Sequence, residues 1–191
     1  GALRSSGGSV TLNGADITGW PLFRRARKGL IYLPQEVSVF SRLSVAQNIE
    51  LVLETVESDR GVRKARLAEL LSELGLSERA SQRAGALSGG ERRRLEITRA
   101  LVLEPLFMLL DEPLAGIDPI AVEDIQQIIA ELKGRGIGIM ITDHNVRETL
   151  SVCDRAYILN DGSVLTSGSP EDIVDDERVR QVYLGEKFSL S

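Results

Sequence analysis

Three short apolar segments, each ending abruptly on polar residues, constrain this chain more than any other feature. Phe107-Met-Leu-Leu-Asp111 is apolar up to its carboxylate. Ile137-Gly-Ile-Met-Ile-Thr142 carries no charge, and Leu30-Ile-Tyr-Leu33 is stopped by Pro34. Runs of this length without alternation read as strands buried on both faces of a parallel sheet. Helix-spaced segments separate them. Val45, Ile49, Val52, Leu53 and Val56 share one face behind Ser44, a candidate N-cap. Leu67, Leu70, Leu71 and Leu74 share another, closed by Gly75, and a third helix runs from Gly89 through Arg99 toward Leu103. Pro119 opens a helix bearing Ile125, Ile128, Ile129 and Leu132, broken by Gly134 and Gly136. Ser9–Gly14 and Ala15–Thr18 read as a strand, a turn and its continuation. Asp161-Gly162 joins two short strands as a hairpin, with a short helix from Pro170 onward. The expected fold is therefore α/β with a mostly parallel sheet and a helical block, 44–103, inserted as a subdomain.

Composition excludes several classes. The longest apolar run, Leu106–Leu110, is far short of a membrane span. One cysteine, Cys153, and one histidine, His144, allow neither an internal disulfide nor a zinc cluster. A net charge of -5 argues against nucleic-acid binding. A reducing, cytoplasmic setting fits. Arg24-Arg-Ala-Arg-Lys28 reads as a solvated helix face.

The polar residues at the strand ends carry the chemistry. Asp111 and Glu112 close an apolar strand, a place for a Mg²⁺ ligand and for a base acting on water, or simply for two solvated carboxylates. Gln35 follows the first strand, and His144 follows another. Ser88-Gly-Gly90 starts a helix, where open amides and the helix dipole favour phosphate, although a plain serine cap has the same sequence. Three of these four groups lie at strand ends, where parallel sheets bind ligands.

In this order the set resembles the ATP-binding cassette family. Gln35 corresponds to the Q-loop, Leu87-Ser-Gly-Gly-Glu91 to the signature, Asp111-Glu112 to Walker B with its catalytic glutamate, and Pro113–Asp118 to the D-loop. His144 corresponds to the H-loop. A narrower resemblance, to the lipopolysaccharide-export ATPases, rests on Tyr32-Leu-Pro-Gln-Glu36, Ser38-Val-Phe40, Glu91-Arg-Arg-Arg94, Ala115-Gly-Ile-Asp-Pro119, Thr142–Leu150 and Val182-Tyr-Leu-Gly-Glu186. The ATPases of branched-chain amino-acid importers are the nearest competitor, and usually show Gln in place of Glu91-Arg92.

The resemblance implies a RecA-like core divided as 1–43 with the Q-loop, 44–103 helical with the signature, 104–169 with Walker B, D-loop and H-loop, and 170–191 as a helical tail. The first part would hold the remnant of an antiparallel β subdomain. ATP and Mg²⁺ are the implied cofactors. Asp111 and Gln35 would hold the metal, and Glu112 and His144 would be catalytic. Gln35, Ser88, Gly89, Gly90 and Asp118 would contact nucleotide, with the signature acting on ATP held by a second copy in a homodimer. Phe40, Arg42 and Leu43 would meet permease subunits of the LptF/LptG kind, at the cytoplasmic face of the inner membrane.

One family element is absent from the sequence. A P-loop reads G-x-x-x-x-G-K-[ST], yet Lys28, Lys64, Lys133 and Lys187 are followed by Gly29, Ala65, Gly134 and Phe188. The expectation is a cassette missing about fifty N-terminal residues, judged by length. Such a chain would be inactive alone, whether as a fragment of a transport ATPase or as a non-catalytic binding module. The DNA-repair and cohesin-type heads are a third possibility that fails, because Gln35 to Ser88 leaves no room for coiled-coil arms.

Overall fold

The computed structural model describes residue 3 and residues 5–181. The sequence expectation for Val182–Glu186 lies outside the described residues. The chain divides into two compact units, residues 1–142 and 143–191.

The first unit opens with an antiparallel pair, β1 (Thr11–Leu12) and β2 (Ala15–Asp16), then α1 (Leu22–Ala26) and β3 (Leu30–Leu33). The helices α2 (Val45–Leu53), α3 (Arg60–Glu73) and α4 (Gly89–Leu101) follow. Then come β4 (Phe107–Asp111), α5 (Pro119–Gly134) and β5 (Gly138–Thr142). Strands β3, β4 and β5 form a parallel sheet in that order, with Leu33 opposite Leu110 and Asp111 opposite Thr142. Its C-terminal edge therefore gathers the polar residues that end the apolar runs.

Helix starts follow sequence chemistry. Ser44 forms a capping box with Gln47, and Ser88 forms one with Glu91. Asp118 accepts from the Ala121 amide ahead of Pro119, the first residue of α5. Core side chains of the unit include Ile49, Leu70, Leu95, Ile97, Met108, Leu110, Ile125 and Ile129, all nearly or fully buried.

Two expectations shift. The strands are not covered equally on both faces. Ile31, Leu33, Met108 and Leu110 are buried, whereas Tyr32 on β3 and Met140 on β5 are 39% and 53% exposed. An apolar groove of about 570 Å³ lies against Leu22, Phe23, Leu30 and Leu109. The basic cluster is not wholly solvated either, because Arg25 is part-buried and donates to the Thr18 and Trp20 carbonyls.

The second unit contains α6 (Val146–Leu150), the hairpin β6 (Ala156–Asn160) and β7 (Ser163–Gly168), α7 (Pro170–Asp175) and α8 (Glu177–Val179). Asp161 and Gly162, both at positive φ, make the hairpin turn. Leu150, Ile173 and Val179 form its core.

Candidate functional site

Strand register assembles the first group. Asp111 ends β4 opposite Thr142, whose hydroxyl donates to Asp111 Oδ1 at 2.6 Å. The Tyr32 hydroxyl donates to Asp111 Oδ2 at 2.9 Å. These bonds, that of Thr142 first, hold the Asp111 carboxyl below its ordinary value, with Arg93 adding a smaller attraction. A carboxyl lowered in this way contributes stability that is present above its ordinary value and is lost as pH falls through the lowered one. The same bond raises Tyr32, since the phenol proton is held by an anion.

Glu112 follows at φ 40°, in the left-handed region that costs a side-chain-bearing residue about 1–3 kcal/mol. Its amide donates to the Thr142 carbonyl at 2.7 Å. Gln35, two residues past β3, donates through Nε2 to Glu112 Oε2 at 2.6 Å. The structure thus brings Gln35, Asp111 and Glu112 to one sheet edge, beside a pocket of about 450 Å³ lined by Tyr32, Gln35, Val37 and Asp111.

This donor set fits Mg²⁺. That ion needs one or two carboxylates, with substrate phosphates and water completing its shell. Asp111 is ionised, and Gln35 engages Glu112 through its nitrogen, not its carbonyl oxygen.

Ser88, Gly89, Gly90 and Asp118 form a second group where α4 and α5 begin. Ser88 is exposed and its oxygen accepts from the Glu91 amide at 3.2 Å. Glu91 returns a bond from the Ser88 amide and pairs with Arg79, and both effects lower its carboxyl. The amides of Gly89 and Gly90 are those for which a helix supplies no acceptor. Packing also constrains the glycines: a methyl on Gly90 would come within 2.6 Å of Ala121 Cβ. Gly90 is therefore required by the approach of α5 as well as suited to an anion.

Phe40 is 51% exposed, Arg42 is exposed and Leu43 is half-buried. His144 belongs to the second unit, where its side chain is 75% exposed and Nδ1 lies 3.7 Å from Asp143 Oδ1.

Sequence reasoning missed what supports these groups. Arg93 and Glu96 form a buried ion pair at 3.0 Å, their side chains 7% and 2% exposed. Arg93 also donates to the Pro34 and Asp111 carbonyls at 3.1 and 3.3 Å. The available signal was two opposite charges three apart on a helix side that also carries Ile97 and Ala100.

A family model described as ABC transporter matches residues 1–115. A second model, branched-chain amino acid ATP-binding cassette transporter, matches residues 163–189. The lipopolysaccharide export system ATP-binding protein LptB of Acidithiobacillus ferridurans is 56% identical over all of this chain and 79% of its own length. LptB of Escherichia coli K12 is 48% identical with the same coverage. Among solved structures, the ADP conformation of MJ1267, an ATP-binding cassette of an ABC transporter, superimposes with a TM-score of 0.84 at 26% identity. The superposition covers 96% of this chain and 79% of that one.

Proposed function

This chain belongs to the ABC transporter family of ATP-hydrolysing cassettes, and from that premise we propose that it serves a lipopolysaccharide exporter as its ATP-binding subunit. The observation that carries the cargo is 48–56% identity to LptB proteins along the whole chain. The geometry around Glu112 supports the hydrolytic part.

In this reading Glu112 takes the proton of the attacking water, while the Gln35 amide holds its carboxylate in place. Asp111 and the Gln35 carbonyl would hold Mg²⁺, which neutralises phosphate charge when bound. His144 stabilises charge that develops on the γ-phosphate. Ser88, Gly89 and Gly90 present a hydroxyl and open amides to ATP held by a second copy, with Asp118 beside them. Residues 1–43 and 104–169 act as parts of the ATPase core, 44–103 as the helical subdomain and 170–191 as its tail. No helix among the described residues is long and apolar enough to cross a membrane. The subunit would sit on the cytoplasmic face of the inner membrane, bound to LptF/LptG-like permease subunits.

Phe40, with Arg42 and Leu43 beside it, is the proposed permease contact. Aromatic anchors often carry about 2 kcal/mol or more of an interface. Phe40→Ala should therefore weaken co-purification with the permease subunits by about thirtyfold. The melting temperature should scarcely move, since the ring is half-exposed. Wild-type recovery of the complex would remove Phe40 from the interface, and a large fall in melting temperature would assign the ring to packing.

The 191-residue chain carries no G-x-x-x-x-G-K-[ST]. It should bind Mg-ATP weakly and not turn it over, because that loop supplies most phosphate contacts. Calorimetry showing micromolar affinity would overturn this. The match of residues 163–189 favours a second reading, the ATPase of a branched-chain amino-acid importer. Co-purification with an importer permease in place of LptF/LptG-like subunits would select it.

A further inference from the structure

Charge is spread unevenly along this chain. Residues 1–34 hold five basic side chains and one acidic one, whereas the rest hold eighteen and twenty-seven. The single acid, Asp16, accepts from the Thr18 amide at 2.8 Å. Four of the bases are Arg24, Arg25, Arg27 and Lys28, in α1 and just after it. Arg25 is structural, since its bonds to the Thr18 and Trp20 carbonyls fasten the preceding turn to the helix. Arg24, Arg27 and Lys28 are exposed.

Two rings stand among these cations. The Arg27 guanidinium lies 5.9 Å from the centre of the Phe23 ring, and that of Arg24 lies 5.6 Å from the Trp20 ring. Phe23 is 62% exposed, so most of its ring is open to a partner. Residues four apart share a helix face, which sets Phe23 beside Arg27 and Arg24 beside Lys28. Bare cations would suit any polyanion. Cations interleaved with an exposed ring suit a surface that is anionic outside and apolar just beneath, which is a bilayer. The acidic excess over the rest of the chain is repelled by such a surface, so the same field that attracts the patch also orients the molecule.

We propose that Phe23, Arg24, Arg27 and Lys28 form a docking surface for anionic phospholipid bilayers, the cations meeting headgroup phosphates and the Phe23 ring entering the layer beneath them. This surface depends on neither the cargo nor the permease contact of the reading above.

Co-sedimentation of the 191-residue chain with lipid vesicles tests it. On phosphatidylcholine vesicles containing about one third phosphatidylglycerol, in about 0.1 M salt, binding should exceed that on pure phosphatidylcholine by about tenfold or more. Raising the salt to about 0.5 M should remove most of the difference, because exposed charges are screened. Arg24→Gln, Arg27→Gln and Lys28→Gln together should lower the partition coefficient by about a hundredfold, at about fivefold for each charge near the surface. Phe23→Ala should lower it by about fivefold and leave its salt dependence unchanged. Arg60→Gln with Lys64→Gln removes two cations that are also exposed, on α3, and should change binding by less than about twofold. Equal recovery on the two vesicle types would overturn the proposal. So would a triple variant within about threefold of wild type, or an equal loss from the α3 pair. Tighter binding to duplex DNA, lost in the same triple variant, would assign the patch to nucleic acid and overturn it too. If the triple variant fails to fold, the salt titration and Phe23→Ala decide the matter. Failure of the permease reading would show instead as wild-type co-purification of Phe40→Ala, with vesicle binding intact.

Discussion

Glu112→Gln, introduced into a chain that carries a phosphate-binding loop, should leave Mg-ATP binding nearly unchanged and cut steady-state hydrolysis by about 10²–10⁴-fold. The amide keeps one property of the carboxylate and loses another. Its carbonyl oxygen can still accept the bond that Gln35 Nε2 now makes to Glu112 Oε2. The side chain should stay in place, and with it the water it orients. What disappears is a group able to take a proton. Parallel binding and turnover measurements separate the two, and hydrolysis within tenfold of wild type would remove Glu112 from the role of base. Loss of binding as well would mean that the residue holds the site together.

Arg93→Ala should strongly destabilise the first unit. The guanidinium neutralises Glu96, whose side chain is 2% exposed, and satisfies the carbonyls of Pro34 and Asp111. Removing one partner of a buried pair costs about 3–5 kcal/mol, chiefly because the other charge remains in a poorly solvated place. Two features reduce the cost here. Glu96 keeps the Ser38 amide and hydroxyl, and Arg99 is close enough to Glu96 for their attraction to offset part of the burial that lowers the Arg99 pKa. The lower end of the range is expected, roughly a 6–12 °C fall in melting temperature at this chain length. Replacing the pair together, Arg93→Met with Glu96→Leu, should recover much of the loss, because no buried charge is then left alone. A single variant melting within 2 °C of wild type would show that the pair contributes nothing net.

The readable part of this molecule is the part that local chemistry decides. Ser44 and Ser88 announce helix starts because a cap acts within three residues, and each forms the expected bond. Asp161-Gly162 turns the hairpin because both positions require positive φ. Asp111, Glu112 and Gln35 were legible as candidates because apolar strands deliver their final residues to one edge. Their supports were not. Tyr32 and Thr142 reach Asp111 only through strand register, across 79 and 31 positions of sequence. Arg93 and Glu96 looked like two more charges in a charged helix until the loop and strand they serve were folded against them. The covering of the sheet was misjudged for a related reason: a run of apolar residues says that a strand is apolar on both faces, but not what lies over each.

The backbone at Glu112 has a further consequence. In an extended strand adjacent side chains point to opposite sides, so two neighbouring carboxylates could never serve one ligand. The left-handed turn at Glu112 ends that alternation immediately after Asp111. Glycine adopts this conformation at almost no cost, whereas glutamate does not. On the role proposed for Glu112, pressure for a sturdier fold and pressure for a working site therefore oppose each other at this position. A lineage released from turning over ATP would be expected to drift toward glycine at 112 and gain stability as the activity disappeared.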